Sequence, residues 1–365
     1  MNITFLIGNG FDRNLGLATT YSEFVNDYKK IISKTDTIQA FKNYIKSNED
    51  LWSNAEIAIG KYTAELQTGA GEAFSECHTD FCERLAEYLK GQMERMDYSE
   101  SSEKILHAFS NLNNITQPFP TQEKDTLDAV YSGRKSEPIV FNFICYNYTD
   151  TLDQCVSIIS DQPNVLGAHK YSGQSKPHST GEVCHVHGTV DNEMVFGVND
   201  DSQIAKLDVF DCEDGDLYKN ILIKKQANAS YQENTDEKAA RLIRGSHLVY
   251  IYGMSIGETD KLWWDRVCTW LSGASDRHLI VQKYDMPAKT VIQVPYQLAE
   301  RRARRDIIKH SSLDDNKKKN IESRIHITGA NIFADIKNIA KEPGYKKYLS
   351  VLEQIETENR ELVSV

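Results

Sequence analysis

Residues 3–7 form a short apolar run that stops at Gly8-Asn9-Gly10, and this junction constrains the fold more than any other stretch. Apolar residues in succession, without alternation, describe a strand covered on both faces that feeds a tight turn. Similar runs, rich in β-branched or aromatic residues, recur at 139–146, 183–186, Leu248–Tyr252, His278–Gln282 and Ile325–Thr328. Helical patterns follow several of them, at 149–160, 258–271 and 296–310. Strands that alternate with helices need crossover connections, which build a parallel sheet. The expected fold class is therefore α/β, a Rossmann-like parallel sheet.

After the first turn the pattern changes. Phe74, Cys77, Phe81, Leu85, Leu89, Met93 and Met96 recur at three- or four-residue steps, the mark of an amphipathic helix. Residues 21–32, 38–45 and 50–66 read the same way. The expected organisation is a core of residues 1–20 and 137–340, a large helical insertion at 21–136, and a C-terminal helix within 341–365. Residues 170–181, polar and rich in turn formers, are expected to be an exposed loop.

The chain has 365 residues and a formal charge of −11, with 40% hydrophobic and 26% charged residues. These are globular proportions, and the negative charge argues against wrapping of nucleic acid. Seven scattered cysteines without CxxC spacing suit reduced thiols better than a disulfide or zinc framework. No signal-peptide pattern opens the sequence, and no run approaches a membrane span. A cytoplasmic homo-oligomer without membrane contact is expected.

Four segments carry candidate chemistry. In Gly8-Asn9-Gly10-Phe11-Asp12, closely spaced glycines let backbone N–H groups approach a phosphate, although a plain turn needs glycines too. The loop lacks the third glycine of GxGxxG and the GK[ST] of a P-loop. Asn147-Tyr148-Thr149-Asp150 ends a strand, where ligands of open α/β sheets sit, and Thr149 or Asp150 also suits a helix cap. In His185-Val186-His187-Gly188 nothing completes a metal site, so no metal is expected. A lone histidine as general base competes there with a packed one. If this stretch is a strand, both imidazoles face one side. Gly253-Met254-Ser255 with Asp260 reads as a polar loop before a helix, only partly imitating GxSxG. Arg301, Arg302, Arg304 and Arg305 read as a solvated helix face, with nucleic acid as the alternative.

In this order, with Gly16-Leu17 and Thr20-Tyr21-Ser22-Glu23-Phe24 added, the motifs resemble the AbiH family, bacterial abortive-infection proteins associated with phage defence. The match spans the N-terminal two-thirds, GNGFD being its most specific element. Residues 23–136 and the tail beyond 284 carry no matching motif. The same order is similar to the SIR2-like layout. That resemblance implies Gly8, Asn9, Gly10 and Phe11 at an NAD phosphate loop and Asn147 beside the nicotinamide ribose. It further implies His187 as catalytic base, and Asp150, Gly253, Ser255 and Asp260 as further cofactor contacts. Asn9 and Asp12 stand where that layout has Ala and Ser, Thr149 where it has Asp, and the sirtuin four-cysteine zinc module is missing.

What the resemblance implies is hydrolysis of NAD(P), as substrate rather than cofactor, with Asn147, His187 and Asp12 as the catalytic set. Cleavage expels a cationic pyridinium as neutral nicotinamide, so no general acid is needed. The protein must stabilise an oxocarbenium-like state and deliver water to it. A phage-derived trigger is the expected partner. A nuclease acting through the arginine helix and a non-catalytic nucleotide sensor are the alternatives.

Overall fold

A computed structural model describes residues 1–343 except 135–136, 163, 172, 231–233 and 258–259. The helical pattern at 345–358 lies outside the described residues.

The strands are β1 (Asn2–Ile7), β2 (Val140–Cys145), β3 (Ala168–Tyr171), β4 (Gln174–Pro177), β5 (Ser179–His185), β6 (Leu248–Tyr252), β7 (His278–Gln282) and β8 (Ile325–Thr328). Helices α1 (Gly10–Leu15), α2 (Tyr21–Tyr28), α3 (Asp36–Ser47), α4 (Ala55–Tyr62), α5 (Gly71–Met93), α6 (Ser102–Ser110) and α7 (Thr121–Ser132) separate β1 from β2. Helix α8 (Thr151–Ser160) follows β2, and α9 (Gly215–Leu222), α10 (Lys224–Ser230) and α11 (Thr235–Arg244) precede β6. Helix α12 (Lys261–Ser272) joins β6 to β7, and α13 (Val294–Lys309) with α14 (Asp315–Glu322) joins β7 to β8.

Six strands form one sheet in the order β5-β2-β1-β6-β7-β8, every neighbouring pair parallel. This is the doubly wound Rossmann order, whose winding reverses between β1 and β6. The fold is the α/β class that the alternating pattern predicts. Ile7 is level with Cys145 on one side and Tyr252 on the other. The turns after β1, β2 and β6 therefore leave the sheet together at its carboxyl edge.

Alternation along β1 divides the core. Ile3, Phe5 and Ile7 join Phe141, Phe143 and Tyr250 on the face covered by α6 and α7, through Ile105, Phe109 and Leu127. Leu6, Ile144 and Ile251 face the other layer, with Ile243, Trp264 and Ile307 of α11, α12 and α13. Each such side chain contributes about 1.5–3 kcal/mol by leaving water. A third cluster gathers Phe24, Phe41, Trp52 and Phe81 of the helical region with Phe196, Phe210 and Leu222.

Packing thus groups residues differently from chain order. Helices α6 and α7 lie against the sheet, whereas much of 190–223 joins the helical layer. Helix α5 buries Phe74, Cys77, Phe81, Leu85 and Leu89 on one face, as its period predicts. Within 50–66 the helix is interrupted: Asn54 accepts from Ile57 N and starts α4 afresh. Residues 170–181 are not a plain loop, because β3 and β4 pair as an antiparallel hairpin. Its mostly polar residues hid the strand period.

Candidate functional site

The glycine turn meets the turn after β6. Gly8 N donates to Tyr252 O and Gly10 N to Gly253 O, each at 2.9 Å. A Cβ on Gly8 would stand 2.6 Å from Gly253 O, and one on Gly10 would run into Gly253 Cα. Gly253 has φ +68°, a left-handed conformation that favours glycine. The glycines therefore serve first to let two turns touch at the point where the winding reverses, and two of the turn's N–H donors are engaged there. Asn9 binds Thr19 twice: its Nδ2 donates to Thr19 O at 3.1 Å, and Thr19 Oγ1 donates to Asn9 Oδ1 at 2.5 Å. Phe11 is fully buried, edge-on to Phe333 at 5.2 Å.

Asp12, on α1, ties the first motif to the second. It is 1% exposed, and its carboxylate accepts from Thr149 Oγ1 at 2.7 Å and Thr151 Oγ1 at 2.5 Å. Burial raises its pKa, opposed first by the hydrogen bonds from Thr151 and Thr149. The Asn147 side chain is buried beside it, yet Nδ2 closes no hydrogen bond. Asp150 points elsewhere, accepting from Gln154 Nε2 at 2.7 Å without capping α8.

The two histidines part company because β5 ends at His185, leaving His187 beyond the pleat. His185 Nδ1 lies 3.1 Å from Asn147 O and Nε2 lies 2.7 Å from Asp153 Oδ2. Two acceptors suit an imidazolium. Burial opposes that charge, but the Cys145 sulfur and the Asp153 carboxylate outweigh it and raise the pKa. His187 stands between Tyr146 and Tyr148, ring centroids 6.0 and 6.3 Å away. Its Nδ1 is buried without a partner. Desolvation, and then the Lys224 ammonium, keep this half-buried ring neutral, far below the ordinary imidazole value. Neighbouring groups with opposed proton affinities are a usual mark of acid–base chemistry.

Behind His187 is a network that the sequence did not disclose. Lys224 Nζ pairs with Glu56 Oε2 at 2.6 Å, both side chains largely buried. Tyr21 Oη donates to Glu56 Oε1 at 3.0 Å, and Tyr148 Oη donates to Val195 O at 3.1 Å. Glu56 comes from α4 and Tyr21 from α2, so the helical layer reaches the carboxyl edge. Asp260 belongs to the same field: burial, then Glu56, push its pKa up to about 6, opposed by Lys224 and by Ser255, whose hydroxyl donates at 3.3 Å. Tyr21 lay within a recognised motif, whereas Glu56 and Lys224 resembled ordinary helix-surface charges.

The structure therefore brings Gly8, Gly10 and Gly253 into contact, and joins Asp12 to the turn bearing Asn147. The backbone links that turn to β1, Tyr146 N donating to Ile7 O at 2.9 Å, and rings link it to His187. Trp263 closes the same corner, edge-on to Tyr146 at 5.2 Å. A groove of about 380 Å³ lies elsewhere, along α3 and α5 of the helical layer. Among the described residues no cluster of metal-ligating side chains occurs and no helix is long and apolar enough to cross a membrane.

Residues 4–281 match the family described as "Bacteriophage abortive infection AbiH". No curated protein and no solved structure matches the chain.

Proposed function

The chain belongs to the AbiH family, whose membership implies a role in abortive infection by phage, and we propose that it fulfils that role by hydrolysing NAD(P) at the nicotinamide–ribose bond. One observation carries the reading: Asn147 Nδ2 and His187 Nδ1 are buried polar atoms without partners, beside the point where ligands of doubly wound sheets bind.

In this reading the dinucleotide lies across the β1 and β6 turns. Gly8 and Gly10 shape the crevice by close packing, while Ser255, exposed on the β6 turn, offers a hydroxyl to phosphate or ribose. Asn9, Gly253 and Asp260 form its surroundings, while Phe11, buried against Phe333, and Asp150, turned to Gln154, support the two turns from behind. The Asn147 amide orients water or a ribose hydroxyl, and neutral His187 accepts the proton of the attacking water, a contribution of about 10²–10⁴-fold. Asp12 acts as a positioning residue, because both its oxygens already hold the turn that carries Asn147. The cytoplasm, where NAD(P) and the infecting phage meet, is the compartment this activity requires.

The test is nicotinamide release from NAD by purified protein, with and without phage lysate, for the native chain and for His187→Ala. Native turnover with loss in the variant supports the reading. Intact NAD under conditions that arrest the infected cell removes it. A non-catalytic nucleotide sensor draws on one observation, that an imidazole with so low a proton affinity is a weak base. It predicts nucleotide binding without turnover. The arginine-rich α13 packs on β8, as Arg304 Nε donating to Ile325 O shows, away from His187.

A further inference from the structure

Helix α13 carries an exposed stripe that changes character along its length. Val294 and Leu298, 55% and 45% exposed, lie one turn apart at its start. Arg301, Arg302 and Arg305 continue the same face at i+7, i+8 and i+11 from Val294. These arginines are exposed and make no ion pair among the described residues, and Ile292 before the helix is 70% exposed. Scattered exposed leucines need no explanation, but aliphatic residues aligned with unpaired arginines along one helix face form a docking surface.

The helical layer presents the complement. The groove of about 380 Å³ along α3 and α5 is lined by Glu72, Glu76 and Glu83, with Lys34 its one cation. On α5 these carboxylates stand at i, i+4 and i+11, and none has an ion pair among the described residues. Ile38 of α3 and Tyr218 of α9 line the same groove and give it apolar surface. A helix face of aliphatic residues followed by arginines is thus complementary to a groove of carboxylates with Ile38 and Tyr218 among them. The two surfaces belong to different hydrophobic clusters of one chain, the groove with the helical layer and α13 with β7 and β8.

We propose that α13 of one copy docks in the α3–α5 groove of a second copy, giving a head-to-tail assembly. Such an interface uses different patches on its two sides, so it closes into a ring or extends as a chain. A nucleic-acid strand would also answer the arginines, but it leaves Ile292, Val294 and Leu298 without apolar cover and the groove without a role. The inference stands apart from the proposed hydrolase activity.

Two charge-reversed variants test it by sedimentation velocity, with thermal melts to confirm folding. One is Arg301→Glu with Arg302→Glu and Arg305→Glu; the other is Glu72→Lys with Glu76→Lys and Glu83→Lys. The native chain is expected to sediment as an oligomer and each variant alone as a monomer. Mixed together the variants reassemble, since the native helix of one meets the native groove of the other and the reversed helix meets the reversed groove. A native chain that stays monomeric at 50 µM overturns the proposal, whether or not it retards single-stranded RNA in a gel. So do variants that remain assembled, or folded variants that fail to combine.

Discussion

Thr151 Oγ1 donates to Asp12 Oδ1 at 2.5 Å, across 139 positions of sequence. With Thr149 on the other oxygen, the pair holds the turn after β2 against the helix after β1. Asp12→Ala leaves two buried hydroxyls without their acceptor, and the expected loss is about 1–3 kcal/mol for each group left unpaired. Asp12→Asn, which keeps one acceptor, costs less. Urea unfolding of the two variants checks the order, and equal losses would contradict it.

Gly10→Ala forces a methyl group into Gly253 Cα, a backbone atom that cannot step aside. Overpacking of this kind typically costs about 1–3 kcal/mol. A melting temperature unchanged from that of the native chain would mean that the β1 and β6 turns do not touch.

The Glu56–Lys224 pair sits where one charge without the other is unwelcome. Lys224→Met is expected to destabilise by about 3–5 kcal/mol, while the double change Glu56→Leu with Lys224→Met costs only about 1–3 kcal/mol, for the Tyr21 hydroxyl left without its acceptor. A double-mutant cycle in urea measures the coupling, and simple additivity would count against it.

Histidine titration by NMR separates His185 from His187. His185 is expected to keep its proton at pH 7.5, above the range of a free imidazole, because Asp153 and Asn147 O receive it. His187 is expected to remain neutral at pH 5.5. If both titrate near 6.5, the contrast between the two environments is absent.

At the opposite end of the sheet, His278 Nδ1 lies 3.0 Å from His326 Nε2, and His326 Nδ1 lies 2.6 Å from Glu123 Oε1. Burial, then His326, lower the His278 pKa from 6.5 to about 4. The folded chain therefore binds this proton more weakly than the unfolded one. Stability from this group is complete above pH 6.5 and falls as pH drops towards 4, by on the order of 2–3 kcal/mol. Urea midpoints at pH 7 and pH 5 should show the decline, and His278→Gln should flatten it.

The sheet was legible because strands covered on both faces spell themselves out: Leu248–Tyr252 and His278–Gln282 are buried at every position. The motifs at the carboxyl edge were legible because glycines and a lone amide interrupt apolar runs there. The hairpin at residues 168–177 was hidden by polar residues that lack a strand period. Glu56 and Lys224 were hidden for another reason. Glu56 is one charge in the short helix α4 and Lys224 opens the polar helix α10, and only their meeting, 168 positions apart, distinguishes them from surface charges. Nor could spacing alone separate the two histidines, since the point where β5 stops decides which way His187 faces.

Strand β1 has a consequence for biosynthesis. Its hydrogen-bonding neighbours, β2 at 140–145 and β6 at 248–252, are both made long after it. At about 5–20 residues per second, a translating ribosome leaves this greasy segment waiting on the order of 10–30 s for the first of them. Helices α2 to α5 can collapse locally in that interval, but β1 cannot. Cover for the edges of this apolar segment is therefore timed by the arrival of residue 140.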